Sequence, residues 1–380
     1  MIRWSALLQP PWISLAIAVL LPLTVSAQVV RIETLPEPGM QPQVAVSSGG
    51  VVHLVYLLGE PGACDVRYTN RPAKGGAWTA PVTVNSEPGT AIATGTIRGA
   101  QLALGKGDSV QVVWNGSTGG KKERMMHAPL FHARLVPGAK TFSRQQNLSG
   151  DTTALDGGAS IAADGRGTVS LVWHATPSET AGESTRLVYE RRSMDDGGTF
   201  AAQQPLNTEK PGVCACCSLR AHLAADGTLT VLYRNMSPPA SRGMTLLTRQ
   251  AGRTRLTRLD DWQAAMCPMS SASLMPSGQG LLAAWENEGR ISTGIVGGTA
   301  TAVQRTGPAN ARHPALARNE QGWTLITSVV GTGWNKAGTL HWDLMNAAGR
   351  ITASGSGVKL PTWSFPAAHA CPDGSFVVLQ

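Results

Sequence analysis

Apolar and polar residues alternate along this chain in short bursts, and turns rich in Gly, Asn and Asp separate the bursts. An alternation with a period of two predicts β-strands that bury one face, and the turn residues predict hairpins between them. One hairpin unit recurs. It starts at a small residue or Pro, and its clearest copies end at an aromatic residue. Its seven copies lie at 42–56, 99–114, 158–173, 218–233, 269–285, 314–329 and 366–379.

A second, less regular strand pair follows each of the first six copies. It is clearest at 186–206, and the others lie at 65–84, 127–148, 244–259, 290–303 and 339–359. Two hairpins make a four-stranded unit, and such units repeating every roughly forty to sixty residues are typical of propeller blades. We therefore predict an all-β propeller of seven blades. Six blades is the alternative, if one weak copy is not a true blade.

The seventh hairpin lacks outer strands, because the chain ends directly after it. The N-terminal run 29–35 (VVRIETL) can supply one such strand. Pairing of the N- and C-terminal strands would close the ring and protect sheet edges that an open array exposes. No linker divides residues 28–380, so we predict that they form one propeller domain.

The first 27 residues have a different composition. A single positive charge at Arg3 precedes an apolar stretch from Trp12 to Leu23, and the small-residue tail ends at Ala27. This order is typical of a secretory signal peptide, so we predict cleavage after Ala27 and a periplasmic or extracellular protein without a membrane span in its mature form. An uncleaved membrane anchor is the alternative.

The chain is basic, with 32 Lys and Arg against 24 Asp and Glu and a formal charge of +8. No basic stripe is interleaved with aromatic residues, which argues against nucleic acid as a partner. Acidic ligands or anionic surfaces stay possible. We expect a monomer that carries no cofactor.

One segment contains a recognisable motif, with Ser193, Asp195, Gly197, Thr199 and Phe200 in the pattern S-x-D-x-G-x-T-[FW]. This is an Asp-box, and the chain resembles the sialidase-like superfamily of Asp-box propellers. The stretch 214–287, with CACC, YRN and AWEN, also resembles a group of secreted bacterial sialidase-like proteins. We expect the Asp-box residues to be structural, since a turn carboxylate bonded to backbone amides is poorly placed for chemistry.

The repeat predicts where a site would form. The two strands of the first hairpin are antiparallel, so the start of one and the end of the other open on the same face of the ring. The polar residues at these positions are Arg98, Asn115, Asp156, His174, Cys217, Arg234, Cys267, Glu286, Arg312 and His313. We expect them to converge on a central funnel.

The resemblance assigns roles to some of these residues. Sialidases hold the carboxylate of their substrate with three arginines, because a guanidinium matches a carboxylate with two parallel bonds. The resemblance therefore implies that Arg98, Arg234 and Arg312 bind the substrate, with His174 and Asn115 beside them. Sialidases also use a Tyr nucleophile activated by Glu, for which Tyr233 and Glu286 are the candidates. Ordinary salt bridges for the arginines and strand packing for Tyr233 are the alternatives.

The six cysteines are clustered, with Cys214, Cys216 and Cys217 close together and Cys267 before the next blade. In an oxidising compartment we expect a disulfide from this triplet to Cys267, together with a second bridge. Six cysteines allow fifteen pairings, so spacing alone leaves the connectivity open. As an alternative, these thiolates, flanked by Met266 and Met269, form a soft ligand set suited to Cu(I), or to zinc.

Two classes of function remain open at this point. One is a sialidase-like protein that binds, and in the catalytic version hydrolyses, an acidic glycan as an exo-α-sialidase does. The other is a non-catalytic module that uses the same face to bind a glycan or a protein. A metal-handling protein that uses the cysteines is a third and more distant hypothesis.

Overall fold

The computed structural model describes Met1 and residues 28–117, 128–153, 155–178, 182–208, 211–297 and 303–380. Apart from Met1, the predicted signal peptide therefore lies outside the described residues. Within these ranges no helix is long and apolar enough to cross a lipid bilayer.

Strands account for nearly all of the regular structure in the described ranges. In chain order they are β1 (Val30–Glu33), β2 (Met40–Val46), β3 (Val51–Glu60), β4 (Ala63–Pro72), β5 (Val82–Thr83), β6 (Gln101–Leu104), β7 (Val110–Asn115), β8 (Leu130–Leu135), β9 (Gln146–Asn147), β10 (Ser160–Ala163), β11 (Val169–Ala175), β12 (Leu187–Ser193), β13 (Gln204–Pro205), β14 (Gly212–Val213), β15 (Arg220–Leu223), β16 (Leu229–Met236), β17 (Met244–Gln250), β18 (Arg253–Arg258), β19 (Ala272–Ser277), β20 (Gly280–Asn287), β21 (Arg290–Val296), β22 (Gln304–Thr306), β23 (Ala311–Arg318), β24 (Thr324–Val330), β25 (Thr339–Met345), β26 (Ile351–Lys359), β27 (Ala367–Ala370) and β28 (Phe376–Leu379). Short 3₁₀ helices lie at Lys106–Asp108 and Glu183–Thr185.

The strands form seven sheets around a central channel, and each sheet is one blade. From the channel outward, blades 1 to 6 contain β2–β5, β6–β9, β10–β13, β15–β18, β19–β22 and β23–β26. The predicted seven-bladed propeller is confirmed, and its hairpins lie where the alternating pattern places them.

The seventh blade closes the ring with both ends of the described chain. It contains β27, β28 and β1, and β1 pairs with β28 in the parallel sense, with Val30 opposite Phe376. The backbone N–H of Leu35 adds a hydrogen bond of 3.0 Å to the carbonyl of Gln380. The prediction that the N-terminal run completes the last blade is therefore confirmed.

The hydrophobic core lies between neighbouring blades. The aromatic residues that end the second strand of several blades are fully buried there, and Trp114, Trp173 and Trp285 are at most 1% exposed. Trp173 of blade 3, for example, packs in one cluster with Val113 and Leu130 of blade 2. Burial of each large side chain contributes about 2–3 kcal/mol, which explains why this position of the repeat is so regularly apolar.

Two details differ from the sequence prediction. The short strand β14 pairs with the end of β16 and extends blade 4, which the repeat does not predict. In blade 5 the outermost strand, β22, lies just beyond the predicted pair at 290–303. Both strands are two or three residues long, and such short strands carry too little alternation to be recognised.

The Asp-box forms the turn between β12 and β13. The carboxylate of Asp195 accepts hydrogen bonds of 2.8 Å from both the backbone N–H and the hydroxyl of Thr199, and one of 2.7 Å from the hydroxyl of Ser193. Gly197 adopts a φ of 78°, and Phe200 packs edge-on against His132 of blade 2 at 4.9 Å between ring centroids.

Candidate functional site

The starts of the innermost strands and the ends of the second strands meet on one face of the ring, which we call the top face. Blades approach closely there: a side chain at Gly157 would collide with His174 Nε2 and with the carbonyl oxygen of Cys217. Likewise, a side chain at Gly158 would collide with the carbonyl of Ile97. Glycine at these two positions lets blades 2, 3 and 4 close around the top of the channel.

The channel itself has a volume of about 800 Å³ and is lined by the innermost strands of all seven blades. Alanine is the commonest residue of its lining, and blade 4 contributes the basic side chains of Arg220 and His222. Arg220 donates one hydrogen bond of 2.9 Å, to the carbonyl of Leu219. Burial lowers the pKa of Arg220 to about 10 and also lowers that of His222. The channel is therefore a weakly basic cavity.

Three of the predicted site residues meet on the top face of blades 4 to 6. Arg234 is 2% exposed and donates hydrogen bonds to two carbonyl oxygens, those of Arg242 at 2.8 Å and Glu286 at 2.6 Å. Its guanidinium also lies 4.9 Å from the ring centroid of Trp262. The carboxylate of Glu286 lies 3.4 Å from Nε of Arg312, whose side chain is 28% exposed. The sequence prediction that these residues share one face is correct.

The carboxylate of Glu286 has an ion pair with Arg312 but no hydrogen bond within the described chain. Neither of its carboxylate oxygens accepts a hydrogen bond from the described residues. Burial raises the pKa of Glu286 above its ordinary value, and the charges of Arg312 and Arg234 oppose that rise. Arg234 is committed to backbone carbonyls, so Arg312 is the arginine of this cluster that can still turn toward a ligand.

Arg98 does not join that cluster. It forms an ion pair with the carboxylate of Asp156. Its Nε donates a hydrogen bond of 2.7 Å to the backbone carbonyl of Asp156, and its Nη1 donates one of 2.9 Å to the carbonyl of Thr94. The ion pair is partly buried, because the side chain of Arg98 is 16% exposed and that of Asp156 is 40% exposed. The expectation of one triad of arginines is therefore met only for Arg234 and Arg312.

Asn115 and His174 are buried between blades. The side-chain amide of Asn115 donates 2.8 Å to the carbonyl of Gly157, and its oxygen accepts 3.2 Å from the N–H of Ala159. His174 contacts the carbonyl of Cys217 at 2.9 Å through Nε2 and Nε of Arg186 at 3.3 Å through Nδ1. Burial lowers the pKa of His174 to about 3, so the ring is neutral. Both side chains join neighbouring blades.

Tyr233 lies in the apolar core between blades 3 and 4. It is fully buried, and its hydroxyl has no hydrogen-bond partner among the described residues. Its neighbours include Val172 and Leu247. Alternation along β16 explains this placement, because Tyr233 and Arg234 are adjacent and point to opposite faces of the sheet. A nucleophilic role for Tyr233 stays a prediction to which this geometry adds no support.

The sequence prediction missed an exposed aromatic residue on the top face. Trp334 is 48% exposed in the loop between β24 and β25. A side-chain carbon placed on Gly95 would lie 3.0 Å from Cζ3 of Trp334 and 3.4 Å from Nη1 of Arg98, so the indole of blade 6 reaches the loop that precedes blade 2. Trp363 fixes this loop, because its Nε1 donates to the carbonyl of Trp334. The available signal was a Trp in a Gly-rich loop, outside the alternating pattern.

The four cysteines of blades 4 and 5 do meet, as their positions before the innermost strands predicted. Cys216 and Cys267 form a disulfide, which is the expected link from the triplet to Cys267. The expected second bridge is wrong, since the other four cysteines are free: Cys64, Cys214, Cys217 and Cys371. Sγ of Cys214 lies 3.1 Å from Sγ of Cys267 and 3.6 Å from Sγ of Cys217.

Charged residues surround the thiols. Arg242 binds Glu183 through two hydrogen bonds of 2.8 and 3.0 Å, and it also donates 3.1 Å to Sγ of Cys214. Burial alone would raise the pKa of the Cys217 thiol, but the hydrogen bond from Cys214 and the charge of Arg234 outweigh burial and lower that pKa. Neither Arg242 nor Glu183 was predicted, because both lie in loops that the repeat does not describe.

Comparison with known proteins gives the fold. No protein-family model matches this chain, and no curated protein sequence matches it significantly. Among solved structures it is similar to the Hadza microbial sialidase Hz136, with a TM-score of 0.51 and 12% identity over 81% of this chain and 69% of that one. It is also similar to an α-L-arabinanase of Penicillium chrysogenum complexed with arabinobiose, with a TM-score of 0.53 and 10% identity over 83% and 95%. A functionally unknown protein of Desulfotomaculum acetoxidans DSM 771 has a TM-score of 0.50 and 10% identity over 91% and 90%. At these identities the likeness establishes a shared propeller fold and no specific family.

Proposed function

We propose that this chain is an exported propeller that binds an acidic glycan across its top face. The observation that carries the proposal is the exposed indole of Trp334, which lies against Gly95 beside the guanidinium of Arg98. An exposed indole offers a flat apolar surface on which the C–H face of a sugar ring can stack, and an adjacent guanidinium can bind a carboxylate in two parallel bonds.

A second arginine, Arg312, belongs to the same blade as Trp334. The loop that carries Trp334 starts beside Asn310, whose carbonyl accepts a hydrogen bond of 2.9 Å from the N–H of Gly331. Arg312 is two residues further along the chain, and Glu286 is its one ion-pair partner in the described part of the chain. We therefore include Arg98 of blade 2 and Arg312 of blade 6 as the two arginines of the proposed binding face.

The ion pair of Arg98 with Asp156 does not prevent binding. Asp156 is the more exposed partner, with 40% of its side chain accessible, so a ligand carboxylate can reach Nη2 of Arg98 in its place. In this proposal Asp156 stands where the ligand carboxylate would bind.

The comparisons support the choice of a carbohydrate only in a general way. Two structures of the same fold are named as a sialidase and as an arabinanase complexed with arabinobiose. A shared propeller does not carry a reaction with it, so the ligand class rests on Trp334 and the arginines. Binding is favoured over sialidase-type hydrolysis, because the described structure has no solvent-accessible tyrosine beside Glu286.

The test is titration of the protein with sialylated and uronate-containing oligosaccharides and with their neutral counterparts, by calorimetry. We expect saturable binding of an acidic glycan, and Trp334→Ala should weaken it at least about tenfold, because stacking on an aromatic side chain is worth roughly 1–3 kcal/mol. Trp78→Ala is the matched control, since Trp78 stacks on Arg71 near the opposite end of blade 1.

Arg98→Ala and Arg312→Ala should reduce the preference for acidic over neutral glycans. Equal affinity of the Trp334 and Trp78 variants, or no saturable binding of any acidic glycan, would contradict the proposal. Release of sialic acid from a fluorogenic sialoside, measured in the same samples, tests whether the bound glycan is also hydrolysed.

A further inference from the structure

Three sulfur atoms converge in a site that glycan binding does not use. The Sγ atoms of Cys214, Cys217 and Cys267 all lie within 4.8 Å of one another, with separations of 3.1, 3.6 and 3.9 Å. Cys214 is fully buried and Cys217 is 2% exposed, whereas Cys267 is only partly buried. In the described residues this is the one group of His, Cys, Asp or Glu side chains with this mutual spacing.

The separations fit ligation of a metal by thiolates. Metal–sulfur bonds of about 2.3 Å hold two thiolates roughly 3.8–4.0 Å apart in a tetrahedral or trigonal site. The Sγ separations of 3.6 and 3.9 Å need little change, and Sγ of Cys214 and Sγ of Cys267, now 3.1 Å apart, would move apart by less than 1 Å. Thiolates favour soft cations, and the nearby carboxylate of Glu183 is already bound to Arg242.

The charge and the access of the site also fit a soft cation. Arg242 donates 3.1 Å to Sγ of Cys214 and can offset the negative charge of bound thiolates. Such partners outside the ligand set commonly orient and tune metal ligands. The thioether of Met266, next to Cys267, is 83% exposed and offers a soft sulfur at the surface where an ion would enter.

We propose that Cys214, Cys217 and Cys267 form a three-thiolate site for Cu(I) that opens when the Cys216–Cys267 disulfide is reduced. Cu(I) accepts three sulfur ligands, whereas a structural zinc site takes four, and the sulfur of Cys216 lies outside the convergent group. The disulfide with Cys216 keeps Cys267, the third ligand, from binding a metal. The oxidised chain therefore offers two of the three ligand thiols, and the reduced chain offers all three.

The reduction is a two-electron exchange with a dithiol. One thiolate of the reductant attacks the disulfide and forms a mixed disulfide, and its second thiolate then releases the protein thiol. The reductant leaves as a cyclic disulfide, and Cys216 and Cys267 each gain one proton. Cu(I) then displaces the protons of its three thiol ligands, so binding releases protons to solvent.

The experiment uses the full mature chain, reduced with dithiothreitol, desalted without oxygen, and titrated with Cu(I) held by the chromogenic chelator bicinchoninate. We expect one Cu(I) per chain to transfer from the chelator. Cys214→Ser and Cys217→Ser should each weaken binding at least about 100-fold, because even partners outside the ligand set change metal affinity 10- to 100-fold. The oxidised chain should take up no Cu(I) at the same chelator concentration.

Cys64→Ser and Cys371→Ser are the matched controls, because both residues are free and buried but lie in blades 1 and 7. Circular dichroism of each variant identifies a loss of binding that comes from unfolding. The proposal fails if the Cys217 and Cys64 variants bind Cu(I) equally, or if the oxidised chain binds as well as the reduced one. Binding of Zn(II) but not Cu(I) overturns the choice of metal. Glycan titrations of the Cys217 variant separate this site from the Trp334 platform.

Discussion

Asp195 and Glu286 are two carboxylates of one ring in opposite situations. Asp195 lies in an exposed turn and accepts hydrogen bonds from both donors of Thr199 and from the hydroxyl of Ser193. These bonds, that from the backbone of Thr199 above all, lower its pKa to about 2. Glu286 is 1% exposed and accepts no hydrogen bond from the described residues, and burial raises its pKa.

The difference shows what separates a structural carboxylate from one that is available for other contacts. Hydrogen-bond donors fix the charge of Asp195 and occupy its lone pairs, so it holds a turn and little else. Glu286 is held by its ion pair with Arg312 and by the charge of Arg234, and its oxygens accept no hydrogen bond from the described residues. Groups of the second kind store an energetic cost, which is common at functional sites.

The largest effect should come from the cation that supports Glu286. Arg234→Ala removes two charged hydrogen bonds to carbonyl oxygens and leaves Glu286 with one arginine fewer. We expect a loss of about 3–5 kcal/mol in the free energy of unfolding, because a buried charge loses its compensation. Urea denaturation followed by tryptophan fluorescence measures it.

Arg258→Ala is the control for this change. Arg258 pairs with Asp261 at the surface, and its side chain is 52% exposed. Such a pair contributes up to about 1 kcal/mol, so this variant should stay close to the parent. Similar losses in the two variants would show that burial of Arg234 is not the source of its effect.

A smaller effect of opposite sign should follow when the charge of Glu286 is removed. Glu286→Gln keeps the shape of the side chain and removes a charge that burial disfavours, so we expect the variant to be more stable than the parent above the folded pKa of Glu286. The folded chain holds the Glu286 proton to a higher pH than the unfolded chain, whose glutamates titrate near 4.5. Parent stability therefore falls as pH rises from about 4.5 through the folded pKa, and the Gln variant should lack this fall.

Thermal unfolding between pH 4 and 8 measures the slope. Arg234, Arg312 and Cys217 face Glu286 and affect its titration, so the comparison is made with the Gln variant in the same buffers. An unchanged slope would mean that these neighbours, and not burial, determine the charge of Glu286.

Most of the fold could be predicted from the sequence, for a simple physical reason. Each blade packs against its two neighbours, so apolar strand residues and the aromatic that ends the second strand recur in every clear copy. The end of β16 also shows why the sequence could place Arg234 on the top face, and why the same strand does not place Tyr233 there. Adjacent residues of a strand point to opposite faces, so if one lies at the top of the ring the other lies in the core.

The rest of the site depends on loops, which alternation does not describe. Trp334 reaches blade 2 because of the path of the loop between β24 and β25. Arg242 contacts Cys214 and Glu183 because the segments that carry these three residues come together outside the strands. Arg98 could be assigned to the correct face, but its pairing with Asp156 depends on the loop geometry between two blades. Strand periodicity therefore predicts which face a residue occupies, and the loops determine which residues touch.

The smallest effect should come from the Asp-box carboxylate itself. Asp195→Ala removes three hydrogen bonds from an exposed turn, and we expect a loss of about 1 kcal/mol at neutral pH after allowance for solvent. The folded pKa of about 2 lies below the ordinary value of 3.8, so this contribution is complete above pH 4 or so and disappears as pH falls toward 2. The stabilities of parent and variant should thus converge in acid, which thermal unfolding at pH 7 and pH 2.5 measures.

Met194→Ala is the control, a change in the same turn at a residue that is 74% exposed, and it should keep the full pH dependence of stability. If Asp195→Ala instead weakens glycan binding without changing stability, the turn carboxylate belongs to the site, and the contrast with Glu286 is lost.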